Sequence, residues 1–169
     1  RVLIWGFGSI GQNLAPILTS LGAEVRGVAR SSGQRGSFDV VAVENINDEL
    51  AHTDVLILVL PSTPETENAF GAQEISALPD HAVVINVGRG ATLDEEALVS
   101  ALEQGELGAA ALDVTATEPL PPSSPLWEAP NLIITPHSAG GRPVGADELI
   151  SRNVAAFLAG EPLVNEVAR

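Results

Sequence analysis

Seven short aliphatic runs recur along the chain, and several of them are apolar at every position. A strand with one face in water alternates apolar and polar residues, whereas a strand covered on both faces is apolar throughout. Stretches with helical periodicity separate several of these runs. We therefore predict an α/β fold, a Rossmann-type doubly wound parallel sheet in three layers α/β/α. The predicted strands span residues 2–5, 24–28, 39–43, 54–60, 82–87, 109–114 and 132–135.

Three helices are predicted from periodicity and end signals. In the first, Gly22 follows the last apolar residue, where a C′ glycine ends a helix. Asp94 is placed to cap a second helix that Gly105 ends, and a third helix covers residues 147–158. In such a fold, ligands bind outside the carboxyl ends of the parallel strands. The face of the first helix is formed by Ile10, Leu14, Ile17, Leu18 and Leu21.

The composition limits the class of protein. The chain has 169 residues, enough for one well-cored domain, and it contains no Met. Because Arg1 runs directly into the strand-like VLIW, we interpret residues 1–169 as one domain excised from a longer protein. The net charge of −14 argues against nucleic acid or an anionic membrane as the main partner. The absence of Cys excludes disulfides and thiolate metal sites, fits a cytoplasmic protein, and leaves no metal site predicted.

A glycine-rich turn, GFGSIG, directly follows the first predicted strand and opens the first helix. In that setting Gly6 permits a tight turn, Gly8 lets a diphosphate approach the backbone, and Gly11 lets helix and strand pack closely. We interpret the turn as a dinucleotide-binding site. The alternative is a purely structural turn in a chain with 16 Gly.

The second predicted strand ends without the acid that normally binds the adenosine ribose. That acid is expected about 20 residues after the turn, which falls at Ala29. Arg30, Ser31 and Ser32 follow instead. A guanidinium and two hydroxyls can bind a 2′-phosphate, so we predict that NADP(H) is preferred, with NAD(H) as the alternative cofactor. The loop could also be solvated, with an Arg30 that binds nothing.

Three polar residues follow three different predicted strands and so project into one crevice: Arg89, Glu118 and His137. Singly, each has a structural explanation. Together, an arginine can hold a carboxylate bidentately, a histidine can move a proton, and a nearby glutamate favours imidazolium. This set suits interconversion of a 2-keto acid and a 2-hydroxy acid beside a nicotinamide. His52 and His81 lie on the opposite rim, and we interpret both as structural or solvated.

Four segments, in order, are similar to signatures of the D-isomer-specific 2-hydroxyacid dehydrogenases: GFGSIG, INVGRGATLDEEAL at 85–98, GAAALDVTATEPLP at 108–121 and NLIITPHSAGG at 131–141. A further segment, LPSTPETENAF at 60–70, resembles the family's sequence beside the nicotinamide ribose. The resemblance spans nearly the whole chain. It implies the dinucleotide-binding domain of such an enzyme, without its substrate domain.

The resemblance also implies residue roles. Arg89 would orient the substrate, Glu118 would pair with the histidine, and His137 would donate and accept the proton. The residues implied to contact the cofactor are Gly6, Gly8, Ser9, Ile10, Gly11, Ala29, Arg30, Ser31, Leu60, Pro61, Thr66, Val87, Gly88, Arg89, Asp113, His137, Ala139 and Gly140. Members that prefer NADP resemble this chain after the second strand, and glyoxylate and hydroxypyruvate reductases are common among them. Two positions depart from the family pattern, Val59 and Thr115, and blur the subfamily.

The first functional hypothesis is an NADP-preferring reductase of a small 2-keto acid such as glyoxylate or hydroxypyruvate, with a homodimer implied by the family. A second is a nucleotide-binding regulatory module, like the family's corepressor relatives, which keep the same three residues. A third keeps the enzyme but changes the substrate, to 3-phosphoglycerate, phosphite or formate. A 3-phosphoglycerate enzyme is expected to favour NAD, which the Ala29–Ser32 loop disfavours.

Overall fold

The computed structural model describes residues 1–141 and 144–166. The chain divides into two compact units, one formed by residues 1–139 and one that begins at Gly140. The first unit contains every strand of the sheet. Its elements are β1 (Val2–Trp5), α1 (Ser9–Ser20), β2 (Val25–Ala29), β3 (Gly33–Arg35), β4 (Phe38–Ala42), α2 (Ile46–Leu50), β5 (Val55–Leu58), α3 (Ala72–Ser76), β6 (Val83–Asn86), α4 (Glu95–Gln104), β7 (Ala109–Leu112) and β8 (Leu132–Ile134).

The sheet has eight strands in the order β3-β4-β2-β1-β5-β6-β7-β8. All neighbours pair in parallel except β3, which is antiparallel to β4. The chain adds β2 on one side of β1 and later returns to add β5 on the other side, so the order of winding reverses between β1 and β5. This is the crevice where doubly wound sheets bind ligands. The predicted fold class is confirmed.

Both faces of the sheet are covered, as the uniformly apolar strands predict. Successive side chains of a strand point to opposite faces. In β1, Val2 and Ile4 accordingly belong to one buried cluster, whereas Leu3 and Trp5 belong to another. Ala15 of α1 packs in the first cluster, and Leu98 of α4 packs in the second. One helical layer therefore lies on each face of the sheet.

The helix ends follow the predicted signals. The carboxylate of Asp94 accepts a hydrogen bond from the Ala97 amide at 3.0 Å, and Gly105 ends α4 with a left-handed φ of +71°. Such a backbone conformation favours glycine because it has no Cβ. At α1, by contrast, three of the five residues of the predicted apolar face are exposed, Ile10, Ile17 and Leu21, because Gly11 and Ala15 form the buried side of the helix.

One strand of the sheet was not predicted. β3 is only three residues long and polar, so it carries neither the length nor the apolar pattern of a strand. It forms a hairpin with β4, in which Gly33 lies opposite Val40 and Arg35 lies opposite Phe38. This hairpin follows directly on the loop at the end of β2.

The second unit contains α5 (Ala146–Ala159), which covers the helix predicted for residues 147–158. Gly160 caps it with a φ of +71°. The side chain of Asn153 then holds the following segment, since it bonds both the amide and the carbonyl of Val164 at 3.0 Å. Among the helices of residues 1–141 and 144–166, none combines the length and the apolar content that crossing a bilayer requires.

Candidate active site

Most of the residues singled out in the sequence lie at one edge of the sheet. Gly6 follows β1, Ala29 ends β2, Leu60 follows β5, Asp113 follows β7 and His137 follows β8. Because these strands are parallel, their carboxyl ends share that edge. The fold therefore brings together segments that are far apart in the sequence.

Two glycines of the turn after β1 have a steric reason, and the third faces open space. A Cβ on Gly6 would lie 2.4 Å from the Val59 carbonyl oxygen, and the φ of +103° also favours glycine. A Cβ on Gly11 would lie 3.1 Å from the Gly6 oxygen and 3.2 Å from the Ile4 side chain. A Cβ on Gly8 would meet nothing within 4 Å beyond its chain neighbours, so the backbone there is open to a ligand. This arrangement fits a diphosphate lying against the turn.

The start of α1 supplies donors for an anion at the same place. Gln12 is the first residue whose amide bonds within the helix, to the Gly8 oxygen at 2.9 Å. The amides of Ser9, Ile10 and Gly11 have no acceptor among the described residues. Free amides and the positive end of the helix dipole favour negative charge. The turn is therefore a suitable diphosphate site on geometry as well as on sequence.

The end of β2 carries an exposed cation, Arg30. Ala29 is half-buried, and Arg30 and Ser31 are exposed. Across the crevice, the pKa of Glu65 is lowered. The main cause is a hydrogen bond from Thr63, and a backbone hydrogen bond and the charge of Arg30 add to it. No ion pair joins Arg30 to any carboxylate in the described part of the chain.

The loop after β5 is held by its own threonines and lies tightly on the next loop. The Thr66 hydroxyl donates to the Pro61 oxygen at 2.6 Å and accepts from the Thr63 amide at 2.9 Å. Leu60 is buried, and a Cβ on Gly88 would lie 2.7 Å from both its nitrogen and its oxygen. The Val87 amide donates to the Leu58 oxygen at 3.1 Å, so the two loops are fixed together.

Two buried polar residues, Asn86 and Thr92, fix the backbone at Arg89. Its carbonyl accepts from the Asn86 side chain at 3.2 Å and from the Thr92 hydroxyl at 2.6 Å. Asn86 also accepts from the Gly88 amide at 3.0 Å. The exposed guanidinium of Arg89 donates only to the Gly88 oxygen, at 2.7 Å, among the described residues. Most of its donors are therefore available to a ligand.

The loop that carries Arg89 packs against the loop that carries Glu118. A Cβ on Gly90 would lie 1.9 Å from the carbonyl carbon of Thr115, so only glycine fits there. Glu95 joins the same two segments, because its carboxylate accepts from the Ala116 amide at 2.6 Å. Arg89 and Glu118 are thereby linked through neighbouring backbone.

His137 and Glu118 form a hydrogen-bonded pair. Nδ1 of His137 lies 2.7 Å from Oε2 of Glu118, and Oε1 of Glu118 accepts from the Thr115 amide at 3.1 Å. The bond from His137 and then the bond from Thr115 lower the pKa of Glu118 below its usual range. Glu118 is thus ionised at neutral pH and orients the imidazole through Nδ1.

Asp113 shapes the segment that carries His137. Its carboxylate accepts from the Thr135 hydroxyl, from the Ser138 amide at 2.9 Å and from the Ala139 amide at 2.8 Å. Burial acts to raise the pKa of Asp113, but these bonds outweigh it and the pKa is lowered. His137 itself has a left-handed φ of +52°, which the bonds on both sides of it enforce.

A largely apolar groove of about 590 Å³ lies beside the pair. It is lined by Asp113, Thr115, Glu118, Pro119, Leu120, Trp127, Ile134, Thr135, Pro136 and His137. Gly140, expected from the resemblance to contact the cofactor, falls at the start of the second unit and is exposed. Within the described residues, no group of three or more acids or histidines could hold a metal ion.

Four residues that build this site were missed in the sequence. Asn86 and Thr92 hold the backbone of Arg89, Glu95 fastens the loop of Glu118, and Thr135 bonds Asp113. Asn86 carried a signal, because it is the polar end of an otherwise apolar strand, VVIN. Thr92 and Thr135 had none, since their partners come from the folded loops. Glu95 had none either, because an acid in the first turn of a helix already has a local explanation.

Comparison with known proteins agrees with the resemblance. The family model for the D-isomer specific 2-hydroxyacid dehydrogenase, NAD binding domain, matches residues 1–139. Glyoxylate/hydroxypyruvate reductase A of Salmonella newport is 38% identical over 168 residues, which cover 98% of this chain and 54% of that protein. The chain spans about half the length of the curated relatives it matches.

Solved structures agree on the fold. A D-isomer specific 2-hydroxyacid dehydrogenase from Xanthobacter autotrophicus, in complex with NADPH and MES, is 38% identical with a TM-score of 0.91, over 99% of this chain and 70% of that one. An NADPH-dependent glyoxylate/hydroxypyruvate reductase from Sinorhizobium meliloti, in complex with NADP and sulfate, is 35% identical with a TM-score of 0.90, over 98% of this chain and 54% of that one. The chain belongs to the D-isomer specific 2-hydroxyacid dehydrogenase family, through the NAD-binding domain that residues 1–139 match.

Proposed function

We propose that the protein is an NADP-preferring 2-hydroxyacid dehydrogenase that works mainly as a reductase of a small 2-keto acid such as glyoxylate or hydroxypyruvate. The observation that carries this proposal is the 2.7 Å bond between His137 and Glu118, at the same sheet edge as the glycine turn. A proton carrier beside a dinucleotide site suits reduction of a carbonyl to an alcohol. The two reductase relatives support the choice of substrate class.

In this proposal the glycine turn and the start of α1 hold the diphosphate. The free amides of Ser9 and Ile10 would donate to it, and the open space around Gly8 would admit it. The loops after β5 and β6 would flank the nicotinamide half. When bound, the nicotinamide exchanges a hydride with the substrate carbon.

Arg89 would bind the substrate carboxylate. Its backbone is fixed by Asn86 and Thr92, while most of its guanidinium donors are free among the described residues. A planar guanidinium matches a carboxylate with two parallel hydrogen bonds, which fixes the orientation of the adjacent carbonyl. The same positive charge stabilises the oxygen as negative charge develops on it.

His137 would deliver the proton to that oxygen and remove it in the reverse direction. Nδ1 is engaged with Glu118, so Nε2 is the nitrogen that remains for proton exchange. The ionised carboxylate of Glu118 fixes the ring orientation through the bond to Nδ1. Asp113 would keep His137 in place by bonding the residues on both sides of it.

The preference for NADP is proposed on Arg30. It follows directly on β2, no carboxylate of the described residues lies within 4.0 Å of it, and Ala29 offers no acceptor for a ribose hydroxyl. An unpaired arginine attracts a 2′-phosphate, whereas NAD binding usually relies on an acid at this place. The bound NADP and NADPH in the two solved relatives support the same choice.

We also propose that residues 1–169 act as the dinucleotide-binding domain and that the substrate domain is formed by residues outside this sequence. The match to about half the length of the relatives supports this. A homodimer is proposed from the family resemblance. A cytoplasmic location is proposed from the cysteine-free composition.

The test is to measure kcat/KM of the full-length protein, which includes the substrate domain, with NADPH and with NADH, for glyoxylate, hydroxypyruvate and pyruvate. The proposal expects efficient reduction of at least one small 2-keto acid with NADPH preferred. A tenfold or greater preference for NADH, about 1.4 kcal/mol, would overturn the cofactor assignment. Tight dinucleotide binding with feeble turnover of every 2-keto acid would instead favour a regulatory module.

A further inference from the structure

The arginines of residues 1–139 fall into two groups. Arg1 and Arg26 both pair with the buried Glu49, each at 2.6 Å. Arg30, Arg35 and Arg89 have no carboxylate within 4.0 Å among the described residues. The chain has 22 acidic residues against 8 basic ones, so acids are abundant. Unpaired arginines in such a chain are candidate sites for anionic ligands.

Arg89 has a proposed role on the substrate carboxylate and Arg30 on the 2′-phosphate, whereas Arg35 has no proposed ligand. It is the last residue of β3, in the hairpin that the sequence did not predict, and it is half-buried. Its partner across the hairpin is Phe38, so the two side chains share a face of the sheet. The centroid of the Phe38 ring lies 5.8 Å from that of Phe7, and Phe7 lies between Gly6 and Gly8 in the glycine turn.

The guanidinium of Arg35 is anchored on that turn. Its Nη1 donates to the backbone oxygen of Phe7. Phe7 is fixed in its turn, because its amide donates to the Val28 oxygen at 3.0 Å and its ring lies where a Cβ on Gly27 would come within 2.4 Å. The hairpin therefore carries a positive charge back from the edge of the sheet to the junction between the glycine turn and the end of β2.

At this junction the guanidinium contacts the glycine turn that forms the proposed diphosphate site, and it is carried by the hairpin that follows the proposed 2′ site at Arg30. A guanidinium has five N–H donors, and the described residues accept from only one of those on Arg35. A neutral donor would be enough to bond the Phe7 carbonyl oxygen. That bond therefore does not explain why a charged guanidinium is half-buried at this position without a counter-ion. A phosphate group would satisfy both the remaining donors and the charge.

We propose that Arg35 is a second cation for the 2′-phosphate of NADP(H) and that, with Arg30, it determines the preference for the phosphorylated cofactor. This inference rests on the proposed function, because it needs the 2′-phosphate to be present. Arg30 approaches from the loop after β2, and Arg35 approaches from the hairpin that follows it. Two guanidiniums on one phosphate give several charge-assisted hydrogen bonds, which are about twice as strong as neutral ones.

The test measures binding of two probes to the full chain by calorimetry: 2′,5′-ADP, which carries the 2′-phosphate, and 5′-ADP, which lacks it. Arg35→Gln is expected to weaken 2′,5′-ADP by about tenfold or more, the size of a lost bond to a charged group, and 5′-ADP by less than about threefold. Arg35→Lys keeps the charge without the planar fork and should retain more of the preference. The control is Gln34→Ala, on the same strand, which removes a bond to Asp39 but no charge.

Each outcome decides between the two proposals. If wild type prefers 2′,5′-ADP and Arg35→Gln keeps that preference, the inference about Arg35 is wrong and the NADP assignment stands. If Arg35→Gln weakens both probes equally, Arg35 is only a brace for the glycine turn. If wild type binds both probes equally, the NADP assignment fails and the role of Arg35 fails with it. Should Arg35→Gln not fold, Arg35→Lys gives the same comparison through its ratio of the two affinities.

Discussion

Nδ1 of His137 lies 2.7 Å from a carboxylate oxygen of Glu118, although 19 residues separate them in the sequence. An ionised carboxylate can accept hydrogen bonds but cannot donate them, so Nδ1 carries the proton of this bond. The ring is thereby held in one orientation with Nε2 directed away from Glu118. The other oxygen of Glu118 accepts from the Thr115 amide, so the glutamate itself cannot swing freely.

The first prediction concerns the acid limb of the pH profile. Bonds from His137 and Thr115 lower the pKa of Glu118 below 4.5, so its charge is present above that value and is lost only as pH falls through the lowered pKa. As the pH is lowered, we expect Glu118 to keep contributing to kcat/KM for reduction until the pH reaches the ordinary pKa range of a glutamate. Glu118→Gln should reduce kcat by about a hundredfold at pH 7, with cofactor affinity little changed.

Glu118→Asp keeps the charge and is the matched control for this variant. It should retain more activity than Glu118→Gln in pH profiles of kcat/KM. Equal losses in the two variants would mean that the charge of Glu118 is unimportant.

The second prediction concerns Asp113. Its carboxylate accepts three hydrogen bonds that hold the segment of His137, and its lowered pKa means that this stabilisation is present above about pH 4 and is lost as pH falls through the lowered value. Asp113→Ala should lower the free energy of unfolding by about 1–3 kcal/mol at pH 7.

Chemical denaturation at pH 7 and at pH 3 tests the role of Asp113. The difference between wild type and Asp113→Ala should shrink at the lower pH. Glu103→Gln, which changes an exposed acid of α4, serves as the control and should leave stability within about 0.5 kcal/mol of wild type. An equally large Asp113→Ala effect at both pH values would show that its charge is not what holds the segment.

The elements that the sequence predicted are those with long local patterns. β1 was predicted at its observed bounds, and the other parallel strands were found within one or two residues at either end. Asp94 and Gly105 were recognised because capping chemistry is local. The hairpin strand β3 was missed because three polar residues carry no apolar period, and its pairing with β4 is a tertiary event.

The residues of the candidate site also divide into those that local sequence predicts and those that depend on tertiary contacts. Arg89, Glu118 and His137 were recognised as candidates because each follows a strand, and the topology of a parallel sheet brings strand ends together. The residues that hold them, such as Asn86 and Thr92, act by bonding backbone across folded loops. Arg35 reaches the glycine turn only because the hairpin turns back, which no spacing in the sequence indicates.

The third prediction concerns the packing of the loop that carries Arg89 against the loop that carries Glu118. Gly90→Ala would place a Cβ 1.9 Å from the Thr115 backbone, and that backbone cannot yield as a flexible side chain can. We expect a loss of about 1–3 kcal/mol in stability and a larger loss of kcat than of cofactor affinity, because Arg89 and Glu118 are displaced. Thermal unfolding and steady-state kinetics check both.

Gly71→Ala is the matched control, since its Cβ would meet its nearest neighbour at 3.8 Å. This variant should change activity little. Equal effects of the two substitutions would mean that contact with Thr115 is not the reason for glycine at position 90.

The fourth prediction concerns Arg89. Arg89→Lys keeps the charge but loses the planar fork, so it should raise the KM for glyoxylate by about tenfold or more. NADPH affinity, measured by fluorescence titration, should change much less. A fall in NADPH affinity with an unaltered KM for glyoxylate would assign Arg89 to the cofactor instead of the substrate.

The proposed role of His137 is tested most directly by kcat of the full-length protein, including its substrate domain, with NADPH and 2-keto acids for His137→Ala beside wild type. Removing the proton carrier should lower kcat by about 10²- to 10⁴-fold while NADPH still binds. His81→Ala is the control, because His81 is an exposed histidine that bonds Asp54 before β6, at the amino end of the sheet, and it should leave kcat unchanged. Near-normal turnover by His137→Ala of every 2-keto acid that wild type reduces would contradict the proposed role of His137.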